Sequence, residues 1–510
     1  MIFSSYEFLF LFLPIVWGVF AMLTRTGSHR LILAWLTLAS LFFYGWWNPW
    51  YLPVLVASIL GNFLFGRAMM RWPGHRKALL ITGVTLNLAL LGYFKYTHFF
   101  LDTFNDFAGT DFSIGRIILP LAISFHTFQQ IAYLVDLYRG KEQEDHDLLQ
   151  YLLFVSFFPQ LIAGPIVKHR ELVTQFARDA FSRIDLRNVA MGITAIAIGF
   201  FKKSVAADSI AQYANAVFDA GAAGQTLGFY EAWGGALSYT MQLYFDFSGY
   251  IDMATGAALL FNIRLPLNFY SPYKSLSIID FWRRWHITLS RFLRDFLYIP
   301  LGGNRKGSAR KYANLLLTML IGGLWHGAGW TFVFWGGLHG MYLILNHGWR
   351  ALRGERASST RFTRFLSWLL TFLAIVLGWV FFRAESFPAA LTVLQGMISF
   401  ETISPWPYIQ EFLWWWAPDI AGIRFPEWIY GTALLALLSL IVFFAPNTHQ
   451  ILSLEHPETE PVPAGDRTPK WLHLHWKPTA IFAVLTGMLT IISLIFLTLY
   501  QEHEFLYFQF

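Results

Sequence analysis

Apolar residues dominate the chain in long runs that charged residues interrupt only at intervals. These runs lie near residues 6–23, 31–46, 51–66, 78–100, 117–138, 148–166, 189–206, 229–261, 312–325, 329–347, 366–383, 429–446 and 480–500. A helix needs about 20 mostly apolar residues to cross a bilayer, and several runs are shorter or broken by Gly and Pro. The pattern predicts an all-α, polytopic integral membrane protein with about ten to thirteen membrane-embedded helices and short interfacial helices.

The polar stretches between these runs show neither a fixed-period repeat nor a separate soluble domain, so we expect one membrane domain over residues 1–510. Residues 447–478 are Pro-rich and mixed in charge, which predicts an extramembrane loop. Residues 401–428 combine Trp, Pro and acids, which is typical of an interfacial segment. Short loops rich in Lys and Arg stay in the cytoplasm, which predicts that side for Arg67–Lys77, Lys168–Arg187, Arg283–Lys311 and Arg350–Arg364.

Composition agrees with the membrane interpretation. Hydrophobic residues make up 56% of the chain and charged residues 13%, whereas a soluble domain carries about 25% charged residues. The 22 Trp and 51 Phe residues fit large lipid-facing and interfacial surfaces. The absence of Cys excludes disulfides, thiolate catalysis and Cys-ligated metals. The net charge of +6 mostly reflects membrane topology, and no nucleic-acid partner is expected.

Residues 262–311 are too polar to continue the membrane pattern. Within them, residues 281–296 (FWRRWHITLSRFLRDF) predict an amphipathic helix whose apolar face carries Phe281, Trp285, Leu289, Phe292 and Phe296. One interpretation is an interfacial helix whose arginines bind lipid phosphates, which makes the lipid bilayer a partner. A compatible second interpretation is a basic mouth for an anionic acyl donor, because guanidinium groups bind phosphates through paired hydrogen bonds.

The second interpretation predicts a set of donor-binding residues. The glycine-rich loop LGGNRKG could approach phosphates closely, although it lacks the spacing of a nucleotide-binding P-loop. The candidate substrate- and donor-binding residues are Arg283, Arg284, Trp285, Arg291, Arg294, Asn304, Arg305, Lys306, Trp325 and Asp246. For Asp246 and its neighbour Asp252, orienting a catalytic base and holding helices together are both open, and the structural role is favoured.

Three histidines lie inside predicted spans, where ionisable residues are costly and often functional. For His126 and His339, we favour a histidine that is hydrogen-bonded between helices for packing. His326 stands in GGLWHGAGW, where glycines allow close packing or a helix break and tryptophans could line a pocket. Imidazole transfers protons near neutral pH. We therefore expect His326 to be a general base that deprotonates a hydroxyl for attack on a thioester, with packing between helices as the alternative for this histidine as well.

Neither a metal site nor a tightly bound cofactor is expected. His326 and His339 are 13 residues apart, which places them roughly 220° apart around a helix of 3.6 residues per turn. One straight helix therefore cannot direct both imidazoles at one ion, and a metal site needs three or four converging ligands.

Two blocks, RRWHITLSRFLRDFLYIPLGGNRKG and NLLLTMLIGGLWHGAGWTFVFWGGLHG, closely resemble the membrane-bound O-acyltransferase (MBOAT) family. The resemblance points to the bacterial branch that contains alginate O-acetylases and teichoic-acid D-alanylation proteins. FSSYEFLFLFLP, LPLAISFHTFQQIAYLVDLYRG and LYFDFSGYIDMATG match as well, so the likeness covers residues 1–385 and the C-terminus. It implies a funnel-like, multi-helix fold whose thin waist joins a cytoplasmic donor site to an extracytoplasmic acceptor site.

The resemblance also implies roles for individual residues. His326 matches the family's invariant histidine, the proposed base, and His286 of RRWH matches a second functional histidine. The ending EFLYFQF resembles an acyl-transfer motif whose tyrosine, here Tyr507, carries the acyl group transiently; interfacial anchoring of the tail is the alternative. Acetyl-CoA is the expected donor substrate, and a periplasmic or membrane-anchored acetyltransferase of the SGNH type is the expected partner.

The expected function is therefore O-acetylation of an exported polysaccharide by an enzyme of the bacterial inner membrane. An alginate-type polymer is the preferred acceptor, with peptidoglycan and cellulose as alternatives. Two other interpretations stay open. A polytopic transporter would typically show paired repeats with broken helices, which this chain lacks. An acyltransferase with a long-chain donor and a lipid or protein acceptor would belong to the same family.

Overall fold

The computed structural model describes residues 1–141, 147–353, 360–399, 427–454, 474–499 and 505–506, and within these ranges it contains helices and no β-strand. The α-helices of the first part are Leu13–Thr24, His29–Trp47, Leu52–Arg71, Arg76–Leu91, Thr97–Ala108, Ile123–Tyr138, Leu148–Ser156, Phe158–Leu161, His169–Phe176, Leu186–Phe201 and Asp208–Ala222. Those of the second part are Phe229–Leu259, Ile278–Trp282, Ile287–Leu293, Gly307–His326, Trp330–Arg353, Arg361–Arg383, Phe387–Met397, Glu427–Phe444, Thr448–Leu452 and Ala480–Leu499.

Shorter helical segments connect these helices or interrupt them. Within the described ranges the 3₁₀ turns are Pro49–Tyr51, Pro73–His75, Asp179–Ser182 and Pro272–Lys274. The π-helical segments are Glu7–Phe12, Gly92–Tyr96, Lys202–Ala207 and Arg294–Tyr298. The π-helical form is rare and often occurs near functional sites.

Seven helical segments are long and apolar enough to cross a membrane: Glu7–Thr24, His29–Trp47, Pro49–Arg71, Pro73–Ala108, Leu186–Ala222, Arg361–Arg383 and Ala480–Leu499. Three further helices are also long but more polar: Phe229–Leu259, Gly307–His326 and Trp330–Arg353. The predicted all-α, multi-pass architecture is confirmed. The predicted run 148–166 is broken after Ser156, and the sequence pattern missed the helices Asp208–Ala222 and Phe387–Met397.

The helix Phe229–Leu259, here called the central helix, lies at the core of the protein. Every residue from Ser238 to Leu259 is buried, including polar ones. The helix Leu186–Phe201 packs along it. A Cβ atom at Gly199 would collide with the carbonyl oxygen of Gly249, so glycine is required at this crossing. Small residues let membrane helices approach closely, and this contact holds the core together.

The predicted amphipathic helix over residues 281–296 is wrong. The structure has two short helices, Ile278–Trp282 and Ile287–Leu293, separated by a break at His286. Side chains of the expected apolar face are packed inside the protein, with Trp285 only 3% exposed. The apolar residues recur every three or four positions because this folded-back segment buries them inside the protein. An interfacial helix that buried them against lipid would show the same spacing.

The described ends of the predicted loop 447–478 pack against the helices. Thr448 is buried and its hydroxyl donates a hydrogen bond to Asp252 (2.6 Å). Trp476 is buried, and its indole N–H donates to the hydroxyl of Thr194 (3.2 Å). Residues 401–426 and 455–473, which include most of the predicted interfacial segment, lie outside the described residues.

Candidate active site

The candidate site begins at the histidine of the LWHG motif. The helix Gly307–His326, here called the His326 helix, ends at His326 itself. The next residue, Gly327, has an extended backbone (φ −152°, ψ 145°), and the helix Trp330–Arg353 then packs along the His326 helix in the reverse direction. The expectation that glycines break the helix or allow close packing here is confirmed.

His326 and His339 lie on two antiparallel helices, so the assumption of one straight helix is wrong. Gly327 ends the first helix, and a Cβ at Gly323 would collide with the carbonyl oxygen of Phe332 on the second. The angle argument against a metal site therefore does not apply. Among the described residues, no group of three or more His, Cys, Asp or Glu could hold a metal ion.

Two side chains from a distant segment cap the His326 helix. Lys95 Nζ donates hydrogen bonds to the carbonyl oxygens of Trp325 (2.5 Å) and His326 (3.3 Å). The Tyr96 hydroxyl donates to the carbonyl oxygen of Leu324 (3.0 Å). The last carbonyls of a helix have no partner within it, and a cation there interacts favourably with the helix dipole. Lys95 and Tyr96 therefore fix the helix end that carries His326.

His286 occupies the break between Ile278–Trp282 and Ile287–Leu293. Its backbone is left-handed (φ 43°, ψ 54°), and its side chain is fully buried. A residue with a side chain held in this conformation costs about 1–3 kcal/mol, and such residues cluster at functional sites. Surrounding contacts must therefore offset the strain at His286.

Asn268 supplies the main polar contacts of this break. Its Oδ1 accepts hydrogen bonds from the backbone N–H (3.2 Å) and the hydroxyl (2.9 Å) of Thr288. The same oxygen lies 3.2 Å from Nδ1 of His286. Since a carbonyl oxygen only accepts, Nδ1 carries the proton in this contact. In the neutral ring, Nε2 of His286 then carries the lone pair.

The structure brings His286 and His326 together. Their ring centroids are 6.5 Å apart, and both side chains are buried. The ring of Trp325 lies 5.0 Å from that of His326 and 6.2 Å from that of His286. Trp335 and Phe382 add further ring contacts to His326, at 5.1 and 5.3 Å. The two predicted histidines therefore share one site with aromatic walls that exclude water.

His126 and His339 were predicted to pack through hydrogen bonds between helices, and their observed contacts differ from that prediction. His339 is fully buried among aromatic rings, including those of Trp282 (5.3 Å) and Trp335 (4.9 Å). Neither of its ring nitrogens has a hydrogen-bond partner among the described residues, so His339 does pack between helices as predicted, but through aromatic contacts and not through a hydrogen bond. His126 Nδ1 lies 3.3 Å from Nε2 of Gln130, within its own helix.

Two of the predicted donor-binding arginines are directed into the protein. Arg284 is 2% exposed and its Nε donates to Asp280 (2.9 Å). Arg291 forms a bidentate ion pair with Glu171, at 2.7 and 3.0 Å. Buried charges are tolerated only when they are paired and hydrogen-bonded, so these guanidinium groups hold the segment together. The predicted residues that are exposed are Arg283, Arg294, Asn304, Arg305 and Lys306.

Cations surround Asp295 at the edge of this segment. Its carboxylate lies 2.7 Å from Lys168 Nζ and 2.8 Å from Arg294 Nε. Arg139 also donates to its backbone carbonyl oxygen (3.3 Å). Partial burial raises the pKa of Asp295, but hydrogen bonds from Arg294 and Lys168 outweigh it and hold that pKa below its usual value. The surface therefore keeps an excess of positive charge at neutral pH.

The acids of the central helix are both ion-paired inside the protein. Asp246 lies 2.8 Å from Lys203 Nζ, and Asp252 lies 2.6 Å from Lys202 Nζ. Both lysines belong to the π-helical segment Lys202–Ala207, so the two pairs join neighbouring helices. This geometry agrees with the structural role that the sequence favoured for both acids.

The C-terminal tail contacts one of the same carboxylates. The backbone N–H of Leu506 donates to Oδ2 of Asp246 (3.1 Å). The ring of Phe505 packs edge-on against that of Tyr250, with centroids 4.9 Å apart. Tyr507, the predicted acyl carrier, is the next residue in the sequence and lies outside the described residues.

Three residues of this region were not identified from the sequence: Lys95, which is half-buried, and Asn268 and Lys203, which are buried. A usable signal existed for Lys95, because a lysine inside the apolar run LGYFKYTHF is costly unless it has a function. The doublet Lys202–Lys203, close to an apolar run, was a weaker signal of the same kind. The sequence gives no comparable signal for Asn268, because amide side chains are common in polar segments such as residues 262–311.

Comparison with known proteins identifies the family. The model of the membrane-bound O-acyltransferase family matches residues 141–390, which include His286 and His326. A peptidoglycan O-acetyltransferase of Helicobacter pylori is 46% identical over 431 residues, covering 79% of this chain and 81% of the relative. The chain belongs to the membrane-bound O-acyltransferase family. It is therefore a multi-pass membrane O-acyltransferase, as the resemblance predicted.

Other relatives of this O-acyltransferase have different named activities. A probable alginate O-acetylase, AlgI, of Pseudomonas aeruginosa is 41% identical over 457 residues, covering 87% of this chain and 81% of the relative. A teichoic acid D-alanyltransferase of Bacillus subtilis is 28% identical over 287 residues, covering 53% of this chain and 70% of the relative.

The cap on the His326 helix leads to a first prediction for this O-acyltransferase. Lys95→Met is expected to lower the acyl-transfer rate by about 100-fold, because displacing a catalytic group by 1 Å can cost that much. Tyr96→Phe removes one hydrogen bond of the same cap and is expected to cost less than about fivefold. Turnover of the acyl donor by the purified proteins measures both effects. A wild-type rate in Lys95→Met would show that the cap does not position His326.

Proposed function

We propose that this O-acyltransferase moves acetyl groups from cytoplasmic acetyl-CoA across the bacterial inner membrane for O-acetylation of an exported polysaccharide. The buried pair of His286 and His326, at the capped end of the His326 helix, is the observation that carries the proposal. It combines a proton acceptor with a water-excluded aromatic site in a chain without cysteine. The similarity to a peptidoglycan O-acetyltransferase and a probable alginate O-acetylase supports acetyl as the transferred group and a glycan hydroxyl as its acceptor.

In the first proposed step, the hydroxyl oxygen of Tyr507 attacks the carbonyl carbon of the acetyl thioester. His326 removes the phenolic proton as the new C–O bond forms, and Nε2 of His286 accepts a hydrogen bond that orients the hydroxyl. The C–S bond then breaks, and the coenzyme A thiolate takes up the proton held by His326. The products are an acetyl ester on Tyr507 and free coenzyme A.

In the second proposed step, a hydroxyl oxygen of the partner protein attacks the ester carbonyl carbon and the bond from that carbon to the Tyr507 oxygen breaks. The proton of the attacking hydroxyl passes to the Tyr507 oxygen, so the products are an acetyl ester on the partner and the regenerated phenol. The partner is a periplasmic or membrane-anchored acetyltransferase of the SGNH type, which then acetylates the polymer. A covalent carrier divides a transfer across the membrane into two steps, each with its own nucleophile. An alginate-type polymer is the preferred acceptor, and peptidoglycan and cellulose are the alternatives; all are glycans with free hydroxyl groups.

The exposed basic residues are proposed to bind the phosphates of acetyl-CoA. Arg283 and Arg294 project from the segment that carries His286, and the adjacent loop bears Asn304, Arg305 and Lys306. Lys168 and Arg139 extend this positive surface around Asp295. Donor phosphates at the surface would leave the thioester end free to enter the buried histidine site.

The proposed donor surface predicts a defect in binding alone. The double variant Arg305→Gln/Lys306→Gln is expected to raise the KM for acetyl-CoA by about fivefold, since each exposed charge contributes a fraction of a kcal/mol to such contacts. Its kcat should stay unchanged, and the effect should shrink at high salt. Steady-state kinetics at two salt concentrations measure it. Arg364→Gln, which removes an exposed charge elsewhere, is the control; an unchanged KM in the double variant would contradict the assignment.

Release of coenzyme A from acetyl-CoA tests the proposed function. Because the chain contains no cysteine, every thiol that the purified protein generates comes from the donor, and a thiol-reactive dye reports it without background. With the partner present, labelled acetyl groups should appear on alginate, peptidoglycan or cellulose fragments, which identifies the acceptor. A transporter would move the label across vesicles without releasing thiol, and that result would overturn the proposal.

A further inference from the structure

A buried ionic triad lies next to the C-terminal tail. Lys203 Nζ is 2.7 Å from Oδ1 of Asp208 and 2.8 Å from Oδ1 of Asp246. All three side chains are less than a tenth exposed. One cation thus faces two carboxylates, and the three ionised side chains together sum to −1. Buried carboxylates are tolerated when ion pairs and hydrogen-bond donors stabilise them.

The tail supplies such a donor and also covers the cation. The backbone N–H of Leu506 donates to Oδ2 of Asp246, whereas Lys203 Nζ lies closest to the other oxygen, Oδ1. The ring of Phe505 lies with its centroid 4.9 Å from Lys203 Nζ, a cation–π contact. Both tail residues are buried. Because Leu506 donates through its backbone N–H, the triad binds the backbone of the tail and not the leucine side chain.

We propose that Lys203, Asp208 and Asp246 form a tail dock, a binding site for the chain's own C-terminal segment at Phe505 and Leu506. Lys203 is its positioning residue, because it holds both carboxylates and contacts the tail ring. The dock deepens the proposed function and rests on it in one respect: it sets the starting position of Tyr507, the proposed acetyl carrier. The contacts that form the dock do not depend on that role.

The neighbouring lysine provides a matched comparison. Lys202 is also largely buried and pairs with a carboxylate of the same central helix, Asp252, at 2.6 Å. Its second partner is the hydroxyl of Thr448, at 2.9 Å. Removing either lysine breaks a buried ion pair with the central helix, and removing Lys203 also breaks its pair with Asp208, so a general loss of stability would affect both variants. Release of the tail is expected only when Lys203 is removed.

The experiment follows the accessibility of the tail. Leu506→Cys introduces the sole cysteine into a chain that has none, and it keeps the backbone N–H that binds Asp246. Maleimide labelling of this full-length protein in detergent, without acyl donor, reports the fraction of time that the tail is open. Labelling should be slow in this background and with Lys202→Met, and about tenfold faster with Lys203→Met, which corresponds to about 1.4 kcal/mol.

A double variant controls for the case in which Lys203→Met does not fold. Lys203→Met/Asp208→Asn removes the cation and one carboxylate together, so the local charge stays at −1, and it too should label quickly. Equal labelling rates in the Lys202 and Lys203 variants, or slow labelling in the double variant, would overturn the dock. Fast labelling together with undiminished polymer acetylation would support the dock and overturn its role in positioning Tyr507, whereas Tyr507→Phe tests the carrier role separately, so the two failures are distinguishable.

Discussion

His326→Ala is expected to lower the rate of coenzyme A release by a factor of about 10² to 10⁴, the range that a positioned general base contributes. No other group in the proposed first step removes the phenolic proton. The capped helix end and the aromatic rings around His326 leave little room for water to replace the imidazole. Thiol release by the purified variant, at saturating acetyl-CoA, measures the loss.

His339→Ala is the matched control for this variant. His339 is a second buried histidine, and its ring contacts Trp335, as the ring of His326 does. The substitution removes an imidazole group in both variants. It leaves a cavity in an aromatic cluster, so we expect a lower thermal midpoint but a loss of activity below about tenfold. If both variants lost activity equally, or if His326→Ala kept its turnover, the assignment of His326 as the base would be wrong.

Tyr507→Phe is expected to reduce acetylation of the polymer in cells by at least about 100-fold. The substitution removes a single oxygen atom, the proposed nucleophile, and a covalent step without its nucleophile has no equivalent route. Phenylalanine keeps the aromatic character of the tail, so interfacial anchoring would be preserved. Acetyl content of the purified polymer is the measurement.

Tyr500→Phe serves as the control for the tail. It makes the same change to another tyrosine near the C-terminus and is expected to leave acetylation unchanged. Full polymer acetylation by Tyr507→Phe would exclude the carrier role and leave direct transfer, with His326 activating the partner's hydroxyl instead.

Features that depend on nearby residues could be predicted from the sequence. The glycines beside His326 indicated a helix break or close packing, and the helix does end at Gly327, where a Cβ atom would collide with the ring of Phe332. The likeness of RRWH and LWHG to one family predicted that His286 and His326 act together. Their rings do lie 6.5 Å apart.

Features that depend on distant residues could not be predicted in the same way. Lys95 caps the His326 helix from a position about 230 residues earlier. Arg291 is neutralised by Glu171, 120 residues away, so a helical wheel cannot show that this arginine is directed inward. The left-handed backbone at His286 is stabilised by Asn268 and gives no periodic signal, which is why a continuous helix was expected there.

Mapping the acetyl group on the protein tests whether Tyr507 carries it with His326 as the base. The purified O-acyltransferase would be mixed with acetyl-CoA carrying an isotope-labelled acetyl group, quenched in acid, digested and analysed by mass spectrometry. The label is expected on Tyr507 in the wild-type protein and is expected to be absent in His326→Ala. Label on another residue, or equal labelling of Tyr507 in both proteins, would contradict transfer to this tyrosine with His326 as the base.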